Sequence, residues 1–269
     1  MSRTRYTALS FLTGLLFSAV TMLTGFFAMP WLLRWLGEER LGAFRAAQEY
    51  GGYLGLLQLG LLGALLPLLS QALGREDKAR AGEVLAAGVR LYALLALLAG
   101  AAGLMLGAAL PHLVQVRPEL QDDLQQGFWC GLLALCFWPL LPFQYLALAR
   151  QRLYAVNLLN LLQALCVTGL SLYWAWAGWG IKGQYLALVL SGLIFFGGLA
   201  VLGSRWLPGA VGGLFARKVS AEVKGQIWSL NWPALGTQVC ERVSVLSDSL
   251  IVACLLGTAQ VVPFFLTQR

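Results

Sequence analysis

Charge is what this sequence has least of. Asp, Glu, Lys and Arg make up 12% of its 269 residues, about half the roughly 25% of an ordinary soluble domain. Hydrophobic residues reach 59% and mean hydropathy is +0.72. Too little polar surface is left to cover a globule in water, so the bilayer is the natural solvent. Histidine is almost missing: His112 is the one copy, and it falls at a span end. No His/Cys/Asp/Glu group has metal-ligand spacing, and neither a G-x-S-x-G elbow nor a phosphate loop is present. Nothing therefore points to an enzyme, a metal or a cofactor. Paired cysteines are missing as well. Cys130, Cys136, Cys166, Cys240 and Cys254 all sit inside apolar runs and read as small buried hydrophobes.

Long apolar runs are there instead. A membrane helix needs about 20 apolar residues, and seven stretches qualify: 9–33, 47–73, 86–110, 127–149, 155–178, 184–203 and 231–256. The first follows Arg3 and Arg5, exceeds a signal-peptide core in length and lacks a small-x-small cleavage site, so it is read as a retained span. Aromatic residues gather at span ends (Trp31 and Trp35; Tyr173, Trp174, Trp176 and Trp179; Trp228 and Trp232) as interfacial anchors. With the N-terminus inside, eleven Lys and Arg fall in inner segments against five in outer ones, which sets that orientation. The same rule accounts for the net charge of +7 and pI of 9.4 without nucleic acid as a partner. The expected fold class is all-α: a polytopic membrane bundle with a cytoplasmic N-terminus, a six-helix lobe over 1–203, a linker over 204–230 and the first span of a second lobe over 231–269. In the linker, Val219, Val223 and Ile227 recur every four residues with Lys218, Glu222 and Lys224 on the other sides. That pattern reads either as a short amphipathic interfacial helix or as a basic loop.

One cadence occurs twice. Leu36-Gly37, Leu41 and Phe44 return as Leu256-Gly257, Val261 and Phe264 at a constant offset of 220 positions. A repeat of that length is too long for a solenoid unit and suits a transporter of two similar lobes. Phe264, Phe265 and Leu266 read as the opening of an eighth span. The chain is then one lobe plus the start of a second, or else a seven-span protein.

Polar residues inside spans need a reason, because each costs a few kcal/mol in hydrocarbon. Arg45 and Glu49 are one helical turn apart and either face a cavity or mark a late start of the second span. Arg90, in the third span, either lines that cavity and attracts an anion or snorkels to the inner interface. Asn157, Asn160 and Gln163 share one arc of the fifth span and either bond a neighbouring helix or line a hydrated path. In the seventh span Gln238, Glu241, Ser244 and Asp248 lie toward one side, with Arg242 beside them. They read as substrate or cation contacts, or as a polar cluster between lobes. Gly51 with Gly55, and Gly103 with Gly107, allow close helix approach. Pro139 and Pro142 mark the fourth span as bent.

Taken in order, these pieces resemble the polysaccharide flippases of the multidrug/oligosaccharidyl-lipid/polysaccharide exporter superfamily. Leu36-Gly37, Leu41-Gly42 and Phe44 are similar to that family's first outer turn. Leu57-Gln58-Leu59-Gly60-Leu61 with Ala64 is similar to its second span, and Ser247-Asp248 through Leu256-Gly257 to its seventh span and turn. Gln58 stands where an acid is common, Pro67 where a base often follows, and Val262-Pro263 replaces small residues. Asp248 is the better-matched polar position. The resemblance implies a multi-pass protein of the inner (plasma) membrane that moves a lipid-linked oligosaccharide from inner to outer leaflet, with membrane lipids and a coupling proton or sodium ion as partners. Arg45, Arg90 and Arg242 would meet phosphates, and Asn157, Asn160 and Gln163 sugars. A drug or cation antiporter of the same superfamily and a non-transporting membrane scaffold are the alternatives.

Overall fold

A computed structural model describes residues 3–58, 60–114, 117–208, 218–233 and 235–236. The first helix, α1 (Arg3–Leu36), is apolar on all sides. At about 1.5 Å per residue it is roughly 51 Å long and outreaches a 40–45 Å bilayer. Gly37, at φ +83, stops it, and α2 (Glu38–Gly52) begins with Glu38 and Glu39 in its first turn, where a helix N-terminus favours acids. A 3₁₀ turn, Tyr53–Gln58, follows, and then α3 (Leu61–Gly74). Asp77 caps α4 (Lys78–Leu113) by accepting the Arg80 backbone N–H at 2.8 Å. The fourth crossing is also in pieces: α5 (Pro118–Leu132), a 3₁₀ stretch Leu133–Leu140 and α6 (Leu141–Ala149). Pro139 lies within that stretch and has no N–H for the α-helical bond, so the expected bend takes the form of a tighter coil. Helices α7 (Leu153–Trp176) and α8 (Gly180–Trp206) complete the lobe. A last helix, α9, runs from 221 to 233.

Among the described residues, five helical stretches are long and apolar enough to cross a membrane, 118–149 counted as one. The sixth crossing is the broken pair α2–α3. Glu39, in the first turn of α2, pairs with Arg117 beside the start of α5. Arg80, in the first turn of α4, pairs with Glu222 at 2.7 Å. Since α3 ends at Gly74, just before α4 begins, α2 and α3 together run antiparallel to α4 from one of its ends to the other. The second span is thus not the continuous helix its hydropathy suggests. Hydropathy measures how apolar a run is and says nothing of φ, and here Gly60 takes φ +91 at the head of α3.

Two buried clusters hold the lobe. The inner one gathers Leu65, Leu69, Leu85, Tyr92, Phe143, Leu146 and Leu199. The outer one gathers Phe44, Ala47, Leu110, Leu124, Phe128, Ile181 and Tyr185. Lipid tails are as apolar as leucine, so close packing rather than water exclusion drives this assembly. Gly103 and Gly107 show it directly. A Cβ at Gly103 would lie 2.6 Å from a Leu132 methyl, and one at Gly107 would run into Trp129 of α5. The Gly51–Gly55 pair is looser, with open space at Gly55. Large apolar side chains on the outside, such as Phe11, Met22, Phe26 and Leu97, are exposed and suited to lipid.

Within the inner cluster the hydroxyls of Tyr92 and Tyr145 meet at 2.5 Å, joining α4 to α6. Either single Phe substitution strands one buried hydroxyl, at a cost of about 1–3 kcal/mol. The double variant Y92F/Y145F strands none. A double-mutant cycle of unfolding in mixed micelles should therefore show the double variant losing less than the sum of the singles. Strict additivity would mean that the pair carries no coupling.

Candidate functional site

The polar residues expected to line a passage go to three different places. Arg45 is exposed on α2 and turns toward α1, its guanidinium reaching the Met29 thioether at 3.8 Å. The one-turn spacing to Glu49 is not used for an ion pair, and Glu49 is itself exposed. Asn157 serves α1. Its amide donates to the Ser10 carbonyl at 3.0 Å and to the Thr13 hydroxyl at 3.2 Å, while the Tyr154 N–H donates to the Ser10 hydroxyl. Of the two readings of that arc, bonding to a neighbouring helix holds for Asn157. Asn160 and Gln163 lie further along α7, half-buried, with no side-chain hydrogen bond among the described residues. Gln238, Glu241, Arg242 and Asp248, together with the repeated turn at 256–264, lie outside the described residues.

Arg90 is the one that opens on a cavity. A space of about 460 Å³ between α4 and α9 is lined by Ala87, Arg90, Leu91, Val219, Lys224, Ile227 and Trp228. Among the described residues its walls are apolar apart from the two cations. Arg90 lies about 18 Å along α4 at 1.5 Å per residue. A roughly 54 Å helix centred on a 30 Å hydrocarbon slab overhangs by about 12 Å, which puts Arg90 some 6 Å inside it. At that depth a guanidinium can serve the cavity and still reach toward the inner boundary.

The cavity exists because of how α9 docks. Val223 and Ile227 are buried in the inner cluster and Val219 packs against it, so the four-residue apolar rhythm faces protein. Residues 221–233 are helical and not a loop. The polar side of α9 is tied down by Arg80, which donates to Glu222 and, at 2.9 Å, to Gln226, and by the Glu83 carboxylate accepting the Ser220 N–H at 2.5 Å. Further along, Asn231 reaches Gly60. A Cβ there would lie 2.6 Å from the Asn231 side-chain oxygen and 2.9 Å from its carbonyl. Helix α3 extends about 21 Å inward from that point, so α9 meets the second crossing near mid-membrane. The Asn231 side-chain oxygen is buried there without a partner among the described residues.

At the outer end, Glu39 accepts from the Arg117 backbone N–H at 3.1 Å and from its Nε at 2.5 Å. These bonds hold the Glu39 carboxyl below the usual carboxylate range. They join the α1–α2 turn to the start of α5 around a cleft of about 230 Å³.

Two features give no signal in a linear reading. Asp123 looks like an outer-loop acid, yet its carboxylate accepts the Ile181 N–H at 2.8 Å and that of Lys182 at 3.4 Å, capping α8 from α5. Arg150 and Arg152 count in sequence only as inner charges, yet they converge on one cleft with Tyr6 and Ser70.

No curated protein and no solved structure matches the chain. The MatE family does match, over residues 6–136, from the first turns of α1 to the middle of the 3₁₀ stretch in the fourth crossing. A multi-pass helical lobe and this match point the same way: residues 6–136 are similar to the MatE family of the multidrug/oligosaccharidyl-lipid/polysaccharide exporter superfamily, whose members are membrane transporters.

Proposed function

We propose that this transporter carries an anionic, lipid-linked oligosaccharide from the inner to the outer leaflet of the plasma membrane, driven by a proton or sodium gradient. What supports this cargo is the sign of the charge in the α4–α9 cavity. Among the described residues, Arg90 and Lys224 are the ionisable groups on its wall, and the others there are apolar. A phosphate-bearing amphiphile needs both, because its hydrated head cannot enter hydrocarbon unaided and its tail prefers the apolar wall. A cation exchanger would need a carboxylate on such a surface, and none of the described residues lining it carries one. In this reading Arg45, Arg90 and Arg242 meet phosphates along the path, and Asn160 and Gln163 meet sugars. Asn157 is engaged with α1. Gln238, Glu241 and Asp248 handle the coupling ion.

The test is Arg90→Glu in cells that depend on this transporter, with surface glycan as the readout and membrane levels matched to wild type. Export should fall at least about tenfold, since reversing a charge that meets phosphate exchanges an attraction for a repulsion. Arg90→Lys should retain most of it. Normal export by Arg90→Glu would remove this cavity from the cargo's route.

A further inference from the structure

A second cationic cleft lies at the inner end of the lobe, away from Arg90. Its volume is about 580 Å³, and Tyr6, Ser70, Leu73, Gly74, Arg150 and Arg152 line it, with Gln151 at the turn between the two arginines. Three elements build it: the first turns of α1, the last turn of α3 and the α6–α7 turn. That turn is rigidly closed. The backbone N–H groups of Arg150, Gln151 and Arg152 donate to the carbonyls of Leu146, Leu148 and Ala147 at 2.8–3.1 Å, and Gln151 takes φ +57. The carbonyls of Leu146, Ala147 and Leu148, three of the last four in α6, are thereby consumed.

The two guanidiniums are under-used. Arg152 lies over the Trp206 ring at 5.5 Å. Arg150 has its Nε–H buried with no acceptor among the described residues. Neither arginine is in an ion pair there. Burial, together with the positive charge of Arg152, pulls the Arg150 pKa down, as expected of a cation held without an anion. A buried guanidinium N–H left without an acceptor is costly, and its planar fork matches the oxygens of a phosphate.

We infer that this cleft binds the phosphate of an inner-leaflet lipid headgroup, on Arg150 and Arg152, with the Ser70 and Tyr6 hydroxyls beside it. Depth selects a lipid. Tyr6 lies about 5 Å from the start of a roughly 51 Å helix that outreaches the 40–45 Å bilayer by only a few ångströms at each end, so the cleft stands at headgroup level. Leu73, Leu148 and Ala149 give the cleft an apolar part of its wall. The same phosphate chemistry is offered by ordinary phospholipids and by a polyprenyl-phosphate carrier. The site stands whether or not an oligosaccharide is the cargo.

The test is native mass spectrometry of the full chain in neutral detergent, with dioleoyl phosphatidic acid against dioleoylglycerol, which has the same chains and no phosphate. Wild type should retain one phosphatidic acid at least about tenfold over dioleoylglycerol. The double variant R150Q/R152Q should lose about tenfold or more of that preference, R150K/R152K should keep most of it, and Lys182→Gln at the outer end should leave it unchanged. Should the double glutamine variant fail to fold, the wild-type comparison and R152Q alone still decide. Equal retention of the two lipids by wild type, or unchanged preference in R152Q and R150Q/R152Q, would overturn the site. Titrating polyprenyl phosphate against bound phosphatidic acid separates the sources. Displacement well below equimolar identifies a carrier site, and displacement at or above equimolar identifies a phospholipid site.

Discussion

Replacing Gly60 by alanine should cost the lobe roughly 2–5 kcal/mol and release α9 from the second crossing. The estimate combines two independent penalties. A side chain at φ +91 is strained by about 1–2 kcal/mol. Overpacking adds about 1–3 kcal/mol, because the new Cβ would lie 2.6 Å from one Asn231 oxygen and 2.9 Å from the other. The side-chain oxygen can rotate away, but the backbone carbonyl cannot without moving α9. Equilibrium unfolding in mixed micelles measures the loss. The specific signature is cross-linking between introduced cysteines that leave position 60 itself untouched. A pair at 64 and 231, placed in Gly60→Ala and in its parent, should show slower cross-linking in the former. The neighbouring Asn231→Ala should do far less harm, since it removes an oxygen that has no partner among the described residues. A Gly60→Ala protein as stable as its parent would mean that α9 is not seated in the break.

The second large effect is expected at the cap of α8. Asp123→Ala removes one carboxylate that accepts two N–H groups at once, and caps of this kind are worth about 1–2 kcal/mol. Gly180→Ala should be worse. Its φ of +59 adds strain, and the Cβ would press directly on the Asp123 carboxylate, so cap and backbone are lost together, roughly 2–4 kcal/mol in all. Asp123→Asn keeps an acceptor and should retain most of the stability. Hydrogen exchange at Ile181 and Lys182 localises the result: both amides should become unprotected in Asp123→Ala and remain protected in Asp123→Asn. Protection in both would place the stabilisation elsewhere.

Which loops share an end of the lobe was legible from the order of the spans. The folded lobe agrees with it. Glu39 meets Arg117, both assigned to one end, and Arg80 meets Glu222, both assigned to the other. Five of the first six spans could be read because length and apolarity are properties of a run. The second could be read only as a run. Its break depends on one φ angle and on a helix more than 150 positions away, neither of which a local window contains. The same limit explains the site. Arg90 announced itself as a charge among leucines, and it does open on a cavity. Asn157 drew notice for the same reason, but its partners, Ser10 and Thr13, are nearly 150 positions distant, and only their presence separates a bolt between helices from a wet wall. Arg150 and Arg152 were hidden by being ordinary, since consecutive inner arginines are what the topology rule expects. Asp123 was hidden in the same way among outer acids.

The packing of α1 has a consequence for how the protein is made. Its main neighbour is α7, and its anchoring bond reaches from Ser10 to Asn157, 147 positions downstream. At synthesis rates of about 5–20 residues per second, the first helix leaves the ribosome some 7–30 seconds before its mate exists. It must endure that interval as a solitary rod in lipid. Its composition equips it to do so: no acid or base interrupts 6–33, and the hydroxyls of Thr13 and Thr24 are occupied by the carbonyls of Leu9 and Val20 in their own helix. The oldest part of the nascent chain thus gains its main partner only after five further helices have been made.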